Sequence, residues 1–161
     1  MDYWSTIWAL VRLRAGPQDV PAGRAPLLHG LAAVLVLLLL TTAQSPGNLQ
    51  PREVVVILGL PPLLAMSLLA LTRRRARFEQ TVAALYGSAA LLGLLQLPAL
   101  LWPGEPPALL LFIALGALLW SLAVDAHIWR HALEVPWPAG LLVALGGWIL
   151  QLELITIGAG S

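Results

Sequence analysis

His127 and His131 stand four residues apart, with Arg130 and Glu134 interleaved and Asp125 just upstream. Residues i and i+4 share a helix face. The two imidazoles therefore stand one above the other, Arg130 and Glu134 share a neighbouring face, and Glu134 follows His131 by one turn. Two imidazoles and a carboxylate are the ligand types a divalent metal takes, and His29 or Asp125 would approach from the same depth. Histidines at this spacing are common on helices, however, and the Glu that follows the first His in a zinc-peptidase motif is absent. The reading taken is that no metal or other cofactor is bound. His29, Asp125, His127, Arg130, His131 and Glu134 then form a charged helix-end cluster that pairs within itself, with a docking surface as the alternative.

A second polar group, Gln96, Gln151 and Glu153, lies inside otherwise apolar stretches. Glu153 falls near the end of its stretch, where an ionised carboxyl costs less than the ~2.5–3.5 kcal/mol typical of a span centre. A structural clasp is the expected role, and a proton or cation site on a transport path is the alternative. No second carboxylate or basic residue in the core completes a relay. Nothing in the chain resembles a phosphate loop with Lys, a Ser nucleophile with its base or an Asp-rich metal motif, and there is no Cys. The chain is expected not to be an enzyme, and a nucleic-acid role has no support.

The elements that must position these groups are set by composition. At 161 residues, 59% of them hydrophobic and 11% charged, with mean hydropathy +0.84, the chain has more apolar surface than a soluble fold of its size buries. The expectation is an all-α polytopic membrane helical bundle with five transmembrane helices, preceded by a short amphipathic interfacial helix. Residues 1–25 form the leader, in which Trp4, Ile7, Trp8 and Val11 fall at helical spacing and Arg12 and Arg14 would reach toward headgroups. Residues 26–158 form the membrane domain, with spans at 26–43, 54–71, 81–102, 108–124 continuing helically to 134, and 139–158. A cleaved signal peptide ending near Ala43 is not expected, because the leader is the wrong type for such a segment. Pro61-Pro62 in the second span requires a kink, with neighbouring helices covering the freed carbonyls.

Orientation follows from arginine. The chain has nine Arg and no Lys, and four of the nine, Arg73, Arg74, Arg75 and Arg77, are packed into one turn between the second and third spans. Eight of the nine fall on one side of a five-span bundle and only Arg52 on the other. Short positive loops stay in the cytoplasm, so the amino terminus is expected inside and the carboxy terminus outside. Trp4, Trp8, Trp129 and Trp137 are expected as interfacial anchors. The Arg-rich, Lys-free composition suggests a GC-rich bacterial genome, which places the protein in the inner membrane with its carboxy terminus periplasmic.

Two stretches, VRLRAGPQDVP before the first span and WSLAVDAHIWRHALEVP at the end of the fourth, together with the kinked second span, resemble the Ypt-interacting (Yip) protein family. The resemblance is greatest to its small bacterial members of unassigned role. It implies a membrane bundle of the adaptor type. The long amino-terminal cytoplasmic region of the eukaryotic members has no counterpart here, so the GTPase partner of those members does not carry over. The expected function is a non-enzymatic inner-membrane adaptor, scaffold or assembly factor that contacts membrane lipids and a membrane-protein partner. The alternative is a small transporter or channel component with a polar site at Gln96, Gln151 and Glu153.

Overall fold

Asp2 starts the first helix by accepting the Ser5 backbone N–H at 2.7 Å, which satisfies one of the donors a helix start leaves open. A computed structural model of the chain describes residues 2–44 and 50–157. Helix α1 runs Tyr3–Val11 and ends where Leu13 takes a positive φ of 59° and the Arg14 N–H bonds back to the Ala9 carbonyl at 2.9 Å, a left-handed helix stop. A short 3-10 turn, Pro17–Asp19, is closed by the Gly16 N–H donating to Asp19 Oδ2 at 2.7 Å.

Five long helices follow: α2 (Arg24–Gln44), α3 (Pro51–Leu71), α4 (Phe78–Leu100), α5 (Ala108–Leu133) and α6 (Trp137–Ile157). All five are long and apolar enough to cross a membrane. Their outward faces carry exposed Leu109, Phe112, Leu119 and Leu142, side chains that suit hydrocarbon rather than water. The fold is an all-α, multi-pass membrane bundle. Helix α3 starts at Pro51 and α6 at Trp137, a turn or less before the apolar runs themselves, because proline is tolerated in a first turn. The loop expected over residues 44–52 is shorter than that, because Gln44 ends α2 and Pro51 and Arg52 open α3; its residues 45–49 and the expected end of the last span at Gly158 lie outside the described residues.

Helix α4 is the hub. Helices α2 and α5 pack along it, α6 packs on α5, and α3 lies against α6 and α4. Thr81 through Ser88 are all buried on α4, at the end of the bundle that carries the arginine turn. Pro61 and Pro62 stay inside α3, but Pro62 has no N–H to give the Leu58 carbonyl. The Tyr86 hydroxyl of α4 donates to that carbonyl instead.

The leader helix divides its aromatic and aliphatic residues between two faces. Tyr3, Ile7, Leu10 and Val11 are buried against the bundle, whereas Trp4 and Trp8 are exposed. The expected single stripe of Trp4, Ile7, Trp8 and Val11 is thereby corrected: positions 4 and 8 lie about 100° around the helix from positions 3 and 7. Tyr3 Oη donates to the Ala83 carbonyl at 2.8 Å, and Trp120 Nε1 donates to the Val11 carbonyl at 2.8 Å. Burial pushes the Tyr3 hydroxyl above its ordinary pKa, so it stays a donor.

Candidate functional site

The arginine turn is anchored rather than loose. Helix α3 stops at Arg73, whose φ is 59°, with the Arg74 N–H returning to the Leu69 carbonyl at 2.7 Å. A residue with a side chain pays roughly 1–2 kcal/mol for that left-handed conformation, and glycine is the usual occupant. Arginine holds the position here and is exposed. Arg77 Nη1 donates to the carbonyls of His131 and Ala132 at 2.9 and 3.3 Å, capping the last turn of α5 with a cation, the charge that end favours.

Glu134 is the acid of this end, and its partners differ from those its spacing suggests. It accepts from Arg77 at 2.5 Å and from Arg74; no ion pair with Arg130 forms among the described residues. The reason is backbone geometry. Glu134 sits at φ 53°, ψ 49°, past the end of α5, so its side chain no longer continues the helical face that holds Arg130. Hydrogen bonds from Arg74 first and Arg77 second hold the Glu134 carboxyl down to about 2. Its folded-state value lies below its ordinary 4.5, so the pair stabilises the protein above about pH 4.5 and this contribution fades as pH falls toward 2. A carboxyl-carbon NMR titration is expected to give Glu134 a midpoint near 2, returning toward 4.5 in Arg74→Gln/Arg77→Gln. An unshifted wild-type midpoint would contradict the pairing.

The two helix-end histidines stay together, and His29 does not join them. His127 is 7% exposed, and its Nε2 bonds the Ala15 carbonyl at 2.9 Å, clamping the leader to α5. His131 meets it edge-on at 4.5 Å between ring centres. His29, on α2, stacks on Tyr3 at 6.0 Å. Among the described residues no three His, Asp or Glu side chains converge as a metal site would require. Trp129, expected at the interface, is 3% exposed and turned into the bundle, whereas Trp137 is 39% exposed.

Asp125 belongs to a different place from the helix-end cluster. Its Oδ2 accepts from Trp148 Nε1 at 2.9 Å. Asp125 is eight residues from the end of α5 and Trp148 eleven from the start of α6, so the bond lies roughly 12–17 Å in from the arginine end. It is near the middle of α6. Both side chains line a cavity of 640 Å³ between α3, α4, α5 and α6, with Ser88, Ser121, Gln96 and Gln151 among its polar wall groups and Ile57, Leu60, Pro61 and Leu64 supplying the α3 side.

Gln96 and Gln151 are thus brought together on one cavity, and Glu153 is not. Glu153 is exposed on the outside of α6. Two residues along a helix turn the side chain through about 200°, so Gln151 and Glu153 cannot share a face. Gln151 shares its face with Trp148, three residues earlier. That spacing was available in the sequence as a signal, as was Ser121 four residues before Asp125. The contacts of Trp120 and Tyr3 with the leader and α4 had no such signal.

Compared with family models, with curated proteins and with solved structures, the chain matches none of them.

Proposed function

We propose that the protein is a non-enzymatic bacterial inner-membrane adaptor or scaffold, Yip-like in type, with its amino terminus in the cytoplasm and its carboxy terminus in the periplasm. The observation that carries this reading is the exposed face at the arginine end. Arg73 and Arg75 of the turn are exposed there, and Arg12, Arg14, Trp4 and Trp8 are exposed on a leader bonded to the bundle at Ala83, Trp120 and His127. A basic turn anchored through Arg74, Arg77 and Glu134 suits anionic headgroups, at about 1 kcal/mol per arginine, and offers a partner a fixed shape. That Arg73 bears a backbone cost where glycine would not also supports a role for its charge.

A photo-crosslinking residue in place of Trp8 tests the reading in native membranes. A discrete membrane-protein adduct is expected from that position and none from Leu109, at the opposite end. Lipid adducts alone at both positions would contradict the adaptor role.

A second reading, a small transporter or channel component, is favoured by the carboxyl of Asp125 at the depth of mid-α6 beside a cavity. Its signature is proton- or substrate-dependent flux in proteoliposomes that disappears in Asp125→Asn and survives Glu153→Gln.

A further inference from the structure

The Asp125 cavity has a use that the basic face does not give it. Its wall is mostly apolar, and its 640 Å³ falls within the ~300–1,000 Å³ range of pockets that enclose small organic molecules. At its inner part sits one carboxylate. Trp148 supplies a hydrogen bond to Asp125 Oδ2, while no described residue engages Oδ1. No cation faces Asp125 either: the ion pairs among the described residues are those of Arg74 and Arg77 with Glu134, at the end of the bundle. A carboxylate at this depth calls for a positive partner.

The shape of the polar wall decides what kind of cation. The groups form a ladder rather than a cage. On α4, Ser88 and Gln96 both line the cavity, and eight residues separate them, roughly 12 Å along the axis. A hard metal ion needs its oxygens together at ~2.0–2.6 Å, which this spread prevents. An elongated molecule meets the ladder along its length. The Gln96 and Gln151 carboxamides, neither bonded to another described residue, are free to serve its polar substituents. Tyr86, Trp129 and Trp148 place three aromatic side chains in the same wall, and aromatic faces beside a carboxylate attract organic cations. Entry is lateral, since Leu118 and Leu152 of the lining are exposed on the membrane-facing surface.

The geometry points to a binding site for an amphipathic organic cation bearing N–H groups, its charged head at Asp125 and its apolar body along the cavity. The site goes beyond the adaptor reading and holds whether or not anything crosses the membrane.

Rhodamine 6G, a rigid aromatic cation with N–H groups, is a suitable probe for fluorescence anisotropy with the purified full-length protein in detergent. Saturable binding is expected, weakened about tenfold or more in Asp125→Asn, largely retained in Asp125→Glu and unchanged in Glu153→Gln. Ser121→Phe, which narrows the cavity while leaving the Asp125 carboxyl in the chain, is expected to abolish binding. Size-exclusion elution of each variant is checked first, and Asp125→Glu with Ser121→Phe carries the test where Asp125→Asn fails to fold. Absence of saturable binding, or equal binding in Asp125→Asn or Ser121→Phe, would overturn the proposal. Equal binding in Asp125→Asn alone would mean that the cavity takes acyl chains and dyes by apolar contact.

Discussion

Gly140→Ala is expected to force α5 and α6 apart and to lower stability by about 1–3 kcal/mol, the range of an overpacked interface. A methyl at residue 140 would stand 2.5 Å from the Ala126 carbonyl oxygen and 2.9 Å from the Arg130 backbone nitrogen. Both neighbours are main-chain atoms of a helix and cannot swing away. The helices must separate instead, and the separation acts on what they jointly hold: the Asp125–Trp148 hydrogen bond spans the same two helices. Small residues allow close backbone approach in membrane bundles, where packing rather than water exclusion holds helices together. Reversible unfolding in mixed micelles measures the effect, and Gly140→Leu should exceed Gly140→Ala. A change within ~0.5 kcal/mol, the size of an ordinary surface substitution, would contradict the close α5–α6 contact.

Ile7→Ala should release the leader. Ile7 is fully buried on α1 and packs so closely over Gly87 that a methyl there would meet its side chain at 2.8 Å. Removing three buried carbons costs about 2–5 kcal/mol where the site cannot collapse. That loss falls on the docking of α1 rather than on the spans, because Ile7 belongs to the leader. Trypsin cleavage after Arg12 and Arg14 reads it directly, and should accelerate more than tenfold, since ~1.4 kcal/mol is a factor of ten in an opening equilibrium. Trp8→Ala, on the exposed face, should leave cleavage almost unchanged. Equal rates in wild type and Ile7→Ala would mean that the leader is held only by lipid.

The membrane architecture was legible because it rests on bulk properties. Runs of about twenty apolar residues, prolines at their starts and the Pro-Gly turn after Trp102 specify five helices before any contact is known. Polar sites depend on rotation about a helix axis and on partners distant in sequence, neither of which depth along a span supplies. Glu153 and Gln151 are close along the chain, but a two-residue offset places them on opposite faces. Asp125 is two residues from His127 in sequence, yet its partner is Trp148, on the next helix. The expected Arg130–Glu134 pair lost to a left-handed residue at the end of α5, a local backbone event that helical spacing does not foresee. The burial of Trp129 likewise depends on the helices packed around it.

Attachment through the basic end is tested most directly at Arg73 and Arg75, the exposed arginines of the turn. Arg74 and Arg77 are already committed to Glu134. Native mass spectrometry of the protein released from nanodiscs of equal phosphatidylethanolamine and phosphatidylglycerol counts the lipids that stay bound. The wild type should retain phosphatidylglycerol preferentially, and Arg73→Gln/Arg75→Gln should lose most of that preference, at about 1 kcal/mol per arginine. Arg52→Gln, at the opposite end, should lose none. Retention without preference for the anionic lipid, or an equal loss in Arg52→Gln, would contradict the assignment of the arginine end as the membrane-attachment face.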